Sequence, residues 1–167
     1  MGDILQWRML TVEALRALLG LMPHPVEGGY FVETYRSADR LPAGRPVSTA
    51  IYYLLTPDTF SAIHRLASDE VFHFYLGDPV EMLLLWPDGS HRIEVIGTAL
   101  ASGERPQVVV PRGVWQGARL RAGGRFALLG TTVAPGFDYA DYETGSRPTL
   151  VRTHPAAAQL ITALTRP

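Results

Sequence analysis

The chain has 167 residues, 47% of them hydrophobic, and a formal net charge of −1. That length suits one domain spanning 1–167, with a core large enough to need no disulfide or structural metal. Cysteine, lysine and asparagine are absent and all 15 basic residues are arginine. These zeros exclude a thiolate nucleophile, a Cys-ligated zinc, an iron–sulfur cluster, a lysine Schiff base, a P-loop and an N-glycosylation acceptor. Near-neutral charge argues against a nucleic-acid partner. The opening Met1-Gly2-Asp3-Ile4 lacks the basic start of a signal peptide. No apolar run approaches the roughly 18 residues that span a bilayer. A cytoplasmic protein with no nucleic-acid or membrane partner is expected.

The first predicted element is a helix from Val12 to Leu19. Thr11 caps it, Glu13 complements its first turn, Gly20 ends it, and Leu15, Leu18 and Leu19 form its apolar face. The 16 glycines and 13 prolines then punctuate short apolar runs, the pattern of an all-β domain with many turns. Strands are predicted at Tyr30–Arg36, Val47–Leu55, Phe60–Leu66, Glu70–Leu76 and Glu81–Trp86. Pro87-Asp88-Gly89 is a turn. Further strands follow at His91–Ile96, Gln107–Val110, Trp115–Leu120 and Arg125–Val133, with a weaker one at Asp138–Glu143. The three arginines between Arg119 and Arg125 flank Gly123 and Gly124 and read as a solvated turn. A second helix is predicted from Ala156 to Leu164 behind Pro155. About ten short strands read as a sandwich or barrel with a helix packed outside at each end.

Period-two alternation assigns faces. Phe60, Ala62, His64 and Leu66 share one face, largely apolar and so inward. On the next strand Glu70, Phe72, Phe74 and Leu76 share one, which brings an inward carboxylate near an inward imidazole. Such a pair suits general acid–base work or a metal site. His73 falls on the opposite face unless a bulge reverses it. Glu33 and Tyr35 share a face with Phe31 and are candidates to line the same pocket. Of Tyr52 and Tyr53, one points in and one out. The segment Pro23-His24-Pro25-Val26-Glu27-Gly28-Gly29 is either a loop over the barrel mouth or a plain connection needing two glycines. Arg65 faces away and pairs with Asp69 or Glu70. Trp115 serves packing or a dimer contact. His24, His91 and His154 are expected at the surface.

His64-Arg65-Leu66-Ala67-Ser68-Asp69-Glu70 followed by Gly77 resembles the first motif of the cupin superfamily, Gly-(x)5-His-x-His-(x)3,4-Glu-(x)6-Gly. Leu66 stands at the second His. Pro111-Arg112-Gly113-Val114-Trp115-Gln116 resembles the second motif, with Gln116 where the last ligand His falls. The resemblance extends through Pro23–Phe31, Glu33–Arg36, Ser48–Leu55, His73-Phe74-Tyr75 and Val133–Asp138 to a small single-domain branch of unknown function. It implies a double-stranded β-helix, the cupin jelly-roll barrel, assembled as a homodimer. Its nearest functional analogy is to sugar-nucleotide epimerases such as dTDP-4-dehydrorhamnose 3,5-epimerase, at the level of fold.

A metallocupin supplies three His and one Glu. Here His64 and Glu70 remain, with Gln116 as a weak neutral donor, so no cofactor is expected beyond a weakly held divalent ion. The primary reading is an enzyme moving a proton on a carbohydrate or nucleotide-sugar-like molecule in the barrel. His64 is its general base and Glu70 orients or charge-stabilises His64. Glu33, Tyr35, Phe72, His73, Phe74 and Gln116 position the ligand and exclude water. Two other readings stand beside it: a metal-dependent enzyme on His64, Glu70 and Gln116, and a non-catalytic small-molecule-binding protein.

Overall fold

The computed structural model describes residues 9–167, so the signal-peptide reading of the first four residues lies outside the described residues. Helix α1 (Val12–Leu19) has the expected caps: Ala14 N–H donates to Thr11 Oγ1 at 3.1 Å, and Gly20 closes the helix at φ 67°. Eleven strands follow: β1 (Met22–Pro23), β2 (Tyr30–Arg36), β3 (Thr49–Leu55), β4 (Phe60–Arg65), β5 (Asp69–Gly77), β6 (Val80–Leu85), β7 (His91–Ile96), β8 (Gln107–Val110), β9 (Trp115–Leu120), β10 (Ala127–Ala134) and β11 (Glu143–Thr144). They form two antiparallel sheets, ordered β1-β2-β3-β10-β5-β8 and β11-β4-β9-β6-β7. The nesting of chain-distant strands, β10 between β3 and β5 and β9 between β4 and β6, is the expected jelly roll.

Each sheet buries side chains according to what covers it. The inner faces meet in one core containing Tyr53, Phe72, Met82, Leu84, Ile96 and Leu129. Strand β6 is apolar at nearly every position because both its faces are covered. Val80, Met82 and Leu84 point inward, while Leu83 and Leu85 lie under the C-terminal helices with Leu150, Ile161 and Leu164. Helix α1 covers the outer face of the other sheet through Leu15, against Leu54, Phe126 and Leu128.

Three regions depart from the sequence reading. Helix α2 (Arg147–Thr153) is unanticipated, since Pro148, Thr149 and Val151 are poor helix formers. Pro148 sits in the first turn, where it costs nothing, and buried Leu150 holds the helix by packing. The predicted Ala156–Leu164 helix is a 3-10 turn over Pro155–Ala157 running into α3 (Ala158–Ala163). The strand expected at Asp138–Glu143 is instead a 3-10 turn over Tyr139–Asp141, capped by Asp138, and then two-residue β11.

Alternation breaks at three bulges. In β5 Tyr75 is the extra residue, since Phe74 opposes Leu129 and Leu76 opposes Leu128, so Leu76 packs with Leu54 and Phe126 on the outer face and does not share the face of Phe72. In β4 the partner of Ser61 is Ala118 while that of His64 is Gln116, so Ala62 and Ile63 together oppose Gly117. Only glycine fits there, because a Cβ would stand 2.7 Å from Ile63 Cγ1. Phe60 and Ile63 therefore pack outward on the C-terminal helices, and His64 stays inward without sharing a face with Phe60. In β2 Thr34 is the extra residue, since Glu33 opposes Ile51 and Tyr35 opposes Ala50.

Candidate functional site

A cavity of about 350 Å³ opens at one end of the barrel. The six-stranded sheet contributes Glu33 and Arg36 from β2, Glu70 from β5 and Thr131 from β10. The other sheet contributes His64. His24 and Glu27 enter from the segment after β1, and Phe137, Asp138 and Tyr139 from the segment after β10. That segment is pinned to β3, where Phe137 N–H donates to Thr49 Oγ1 at 2.9 Å.

His64 is buried, and its Nδ1 lies 2.8 Å from the Ala62 carbonyl. A carbonyl only accepts, so Nδ1 carries a proton, and in the neutral ring Nε2 is the atom with the lone pair. Nε2 lies 3.9 Å from Glu27 Oε2 and makes no hydrogen bond among the described residues. Tyr142 stacks on the ring at 4.7 Å between centroids and 14° between planes. The Ala62 carbonyl and the Tyr142 ring thus orient His64, the role the sequence reading gave to Glu70.

His24 has the opposite tautomer. Its Nδ1 accepts from the N–H of Glu27 at 2.9 Å and of Val26 at 3.3 Å, so its proton sits on Nε2, 3.9 Å from the same Glu27 oxygen. Burial pushes the His24 pKa down, against the opposing pull of Glu27, so its ring is held neutral. The other Glu27 oxygen accepts from Ser61 Oγ. The loop is shaped by Gly28 and Gly29, at φ 104° and 70°. A Cβ on Gly29 would stand 2.8 Å from the Leu54 carbonyl oxygen. Arg166 clamps the loop from outside by donating to the Val26 and Glu27 carbonyls.

Glu70 is buried on the facing sheet and accepts from Gln116 Nε2 at 2.7 Å. Burial raises its pKa from 4.5 to about 6, with His64 opposing the rise. Gln116 Oε1 is buried without a partner.

The structure therefore brings His64, Glu70 and Glu33 to one cavity, with Gln116 behind Glu70. It sends four other candidates elsewhere. The Thr34 bulge turns Tyr35 outward, 54% exposed, and puts Arg36 on the wall in its place. Phe72 is in the inner core and Phe74 packs half-buried against it, both away from the cavity wall. His73 stays on the outer face, with Nε2 3.2 Å from Thr132 Oγ1. Arg65 pairs with Glu143 at 2.7 Å and lies over the Trp115 ring, not with Asp69 or Glu70. Of the three histidines expected at the surface only His91 is exposed, since His24 lines the cavity and His154 is buried with Nε2 2.8 Å from the Trp86 carbonyl. Of the two readings of the Pro23–Gly29 segment, the loop over the barrel mouth is the one found, with His24 and Glu27 on the cavity wall, while Arg36 and the 137–139 segment were missed as site residues. The signal for His24 and Glu27 was two polar residues just before a glycine pair.

The donor set does not fit a metallocupin centre. Leu66 replaces a ligand His, and the Gln116 amide nitrogen is turned to Glu70. Among the described residues no group of three His, Asp or Glu is placed to share an ion.

The barrel, His64 at the start of the first motif and Gln116 at the end of the second agree with one family. The family model described as Cupin superfamily (DUF985) matches residues 13–145. The chain belongs to the cupin superfamily. It is 33% identical over 133 residues to the uncharacterized protein YML079W of Saccharomyces cerevisiae, covering 70% of this chain and 66% of that protein, so it spans just under two thirds of that relative. Protein SO0799 of Shewanella oneidensis superposes with a TM-score of 0.89 at 34% identity, over 95% of this chain and 99% of that one. A hypothetical protein from Leishmania major gives 0.87 at 32%, over 95% and 100%. Oxalate decarboxylase from Bacillus subtilis, at 14% identity and a TM-score of 0.55 over 86% of this chain and 37% of that one, shares the cupin fold alone. No helix among the described residues is long and apolar enough to cross a membrane.

Proposed function

We propose that this cupin takes a small polar, carbohydrate-like molecule into the cavity and moves a proton on it, as an isomerase or epimerase does. The observation that carries the reading is the tautomer of His64. With Nδ1–H committed to the Ala62 carbonyl, the basic Nε2 faces the cavity. Glu70 faces the same space from the opposite sheet with a pKa of about 6, so it exchanges a proton near neutral pH. In the proposed step, Nε2 takes a proton from the carbon beside a substrate carbonyl. The electron pair moves to the carbonyl oxygen as an enolate forms. A proton then returns to carbon, on the same face from His64 or on the other from a second donor, and the carbonyl reforms. Nothing is oxidised and no co-reactant is consumed.

Proton NMR in deuterium oxide tests this with a panel of small hydroxy-aldehydes, hydroxy-ketones and sugars. Solvent deuterium should enter at the carbon beside the carbonyl of at least one compound, and His64→Ala should slow that exchange by about 10²–10⁴-fold. Exchange at the protein-free rate for every compound, or exchange undiminished in His64→Ala, refutes the proposal. Saturable binding without exchange makes the cavity a binding site and not a catalytic one.

A further inference from the structure

The wall of the cavity carries an unbalanced charge, and that charge bears on what can enter. Four carboxylates line it, Glu27, Glu33, Glu70 and Asp138, against one guanidinium, Arg36. Arg36 is already spent, because its Nε and Nη2 lie 2.9 and 2.7 Å from the two oxygens of Glu33. That bidentate pair is close to neutral as seen from the cavity. The chain has no lysine to add. No guanidinium among the described residues pairs with the Glu27 carboxylate: a Ser61 hydroxyl holds one oxygen, and the other faces two imidazole nitrogens at 3.9 Å. Of those imidazoles His24 is held neutral by burial. Asp138 spends one oxygen on its own turn, accepting from Ala140 N–H at 2.9 Å.

Two further observations point to a ligand. His64 is only 2% exposed, yet its Nε2 is left without a hydrogen bond on the cavity wall. Beside Glu27 runs a row of rings. Phe31 lies 4.7 Å and Tyr139 6.3 Å from the His24 ring, and Phe137 stands edge-on to Tyr139 at 4.9 Å. Ring faces carry partial negative charge and favour a cation. A phosphate or carboxylate entering here would meet carboxylates and ring faces with no free guanidinium or ammonium, and much of its desolvation would go uncompensated. An ammonium group would meet Glu27 and the rings, while its hydroxyl-bearing body met Nε2 of His64, Thr131 and Glu70.

We propose that the cavity selects a small organic cation, an ammonium group on a hydroxyl-bearing body such as an amino sugar or amino alcohol, with the ammonium on Glu27. This rests on the reading of the cavity as a small-molecule site and narrows its substrate class away from nucleotide-sugars and other anions.

Calorimetry with three probes on one scaffold, D-glucosamine, D-glucose and D-glucuronate, tests it at neutral pH. Glucosamine should bind at least about tenfold tighter than glucose, a preference that shrinks as salt is raised, and glucuronate should give no heat. Glu27→Gln keeps the bond to Ser61 and should reduce the preference for glucosamine over glucose to less than about threefold. Asp138→Asn, with folding checked by circular dichroism, gives a second arm and should reduce it in part. Glucuronate binding tightest, glucose matching glucosamine, no heat from glucosamine at millimolar concentration, or a preference that survives both substitutions overturns the proposal. The two readings fail separately. Ammonium-selective binding without deuterium exchange sustains this inference and defeats proton transfer, whereas exchange on neutral or anionic compounds only does the reverse.

Discussion

Replacing Glu70 with glutamine measures how far the barrel works against the charged form of that carboxyl. Glu70 is 6% exposed and titrates near 6 in place of 4.5, chiefly because it is buried, with His64 and the Thr131 and Gln116 side chains opposing the rise. The unfolded chain releases this proton near 4.5 and the folded chain only near 6, so between those values the folded state binds more protons. Stability from this group is full below pH 4.5 and is lost as pH rises through 6. At about 1.4 kcal/mol per pH unit the loss is about 2 kcal/mol at pH 7 and above. Glu70→Gln preserves the size and the acceptor for Gln116 Nε2 and is permanently neutral. It also introduces an N–H donor in the buried pair whose Gln116 Oε1 has no partner.

Urea unfolding of both proteins over a pH series checks the reasoning. The curves should coincide near pH 4 and separate with rising pH, until at pH 8 Glu70→Gln is more stable by about 2 kcal/mol, or about 4–8 °C in midpoint. A difference that does not change with pH refutes the linkage. A variant less stable at pH 8 shows instead that Gln116 and His64 hold the ionised form more strongly than burial opposes it. The same substitution should remove the part of the pH-dependence of deuterium exchange that Glu70 contributes near 6.

Tyr142→Phe should leave stability unchanged or raise it by up to about 1 kcal/mol, because the Tyr142 hydroxyl is buried without a partner. Tyr142→Leu removes the ring stacked on His64 and should cost about 1 kcal/mol or more; thermal denaturation of the two, side by side, tests whether ring or hydroxyl matters. His154→Ala removes one of two donors to the Trp86 carbonyl, which keeps Gly89 N–H at 3.1 Å, and opens space beside Thr153, so chemical denaturation should show a loss of about 1–3 kcal/mol, and a loss below about 0.5 kcal/mol would contradict the buried bond. Arg166→Ala should change global stability by less than about 1 kcal/mol but release the 26–27 carbonyls. Amide exchange at Ala62, which shares the Glu27 carbonyl at 2.9 Å, should then quicken at least about tenfold, and unaltered exchange there argues against a clamp.

The parts of the fold legible in sequence are those where local chemistry and burial agree. Helix α1 has its Thr11 and Gly20 caps, β6 has an apolar residue for each of two covered faces, and both kept their expected bounds to within a residue. Helix α2 was illegible because its propensity is poor and its stability comes from Leu150 packing on a sheet that sequence windows do not see. His154 was misplaced for a related reason: nothing local shows that its ring reaches the Trp86 carbonyl, 68 residues away.

The site follows a different rule, since its wall is assembled where strands stop being regular. Phe72, Val108 and Leu129 keep phase and end up in the core. An extra residue at Thr34 turns Arg36 into the cavity and Tyr35 out of it, so a strict period of two chose the wrong neighbour for Glu33. A second bulge at Ala62–Ile63 lets His64 point inward next to the carbonyl of Ala62, the acceptor that fixes its tautomer. The Gly28–Gly29 pair bends His24 and Glu27 over the mouth. The carboxylate between two imidazoles comes from the β4 bulge and the Gly28–Gly29 bend together and from no single motif.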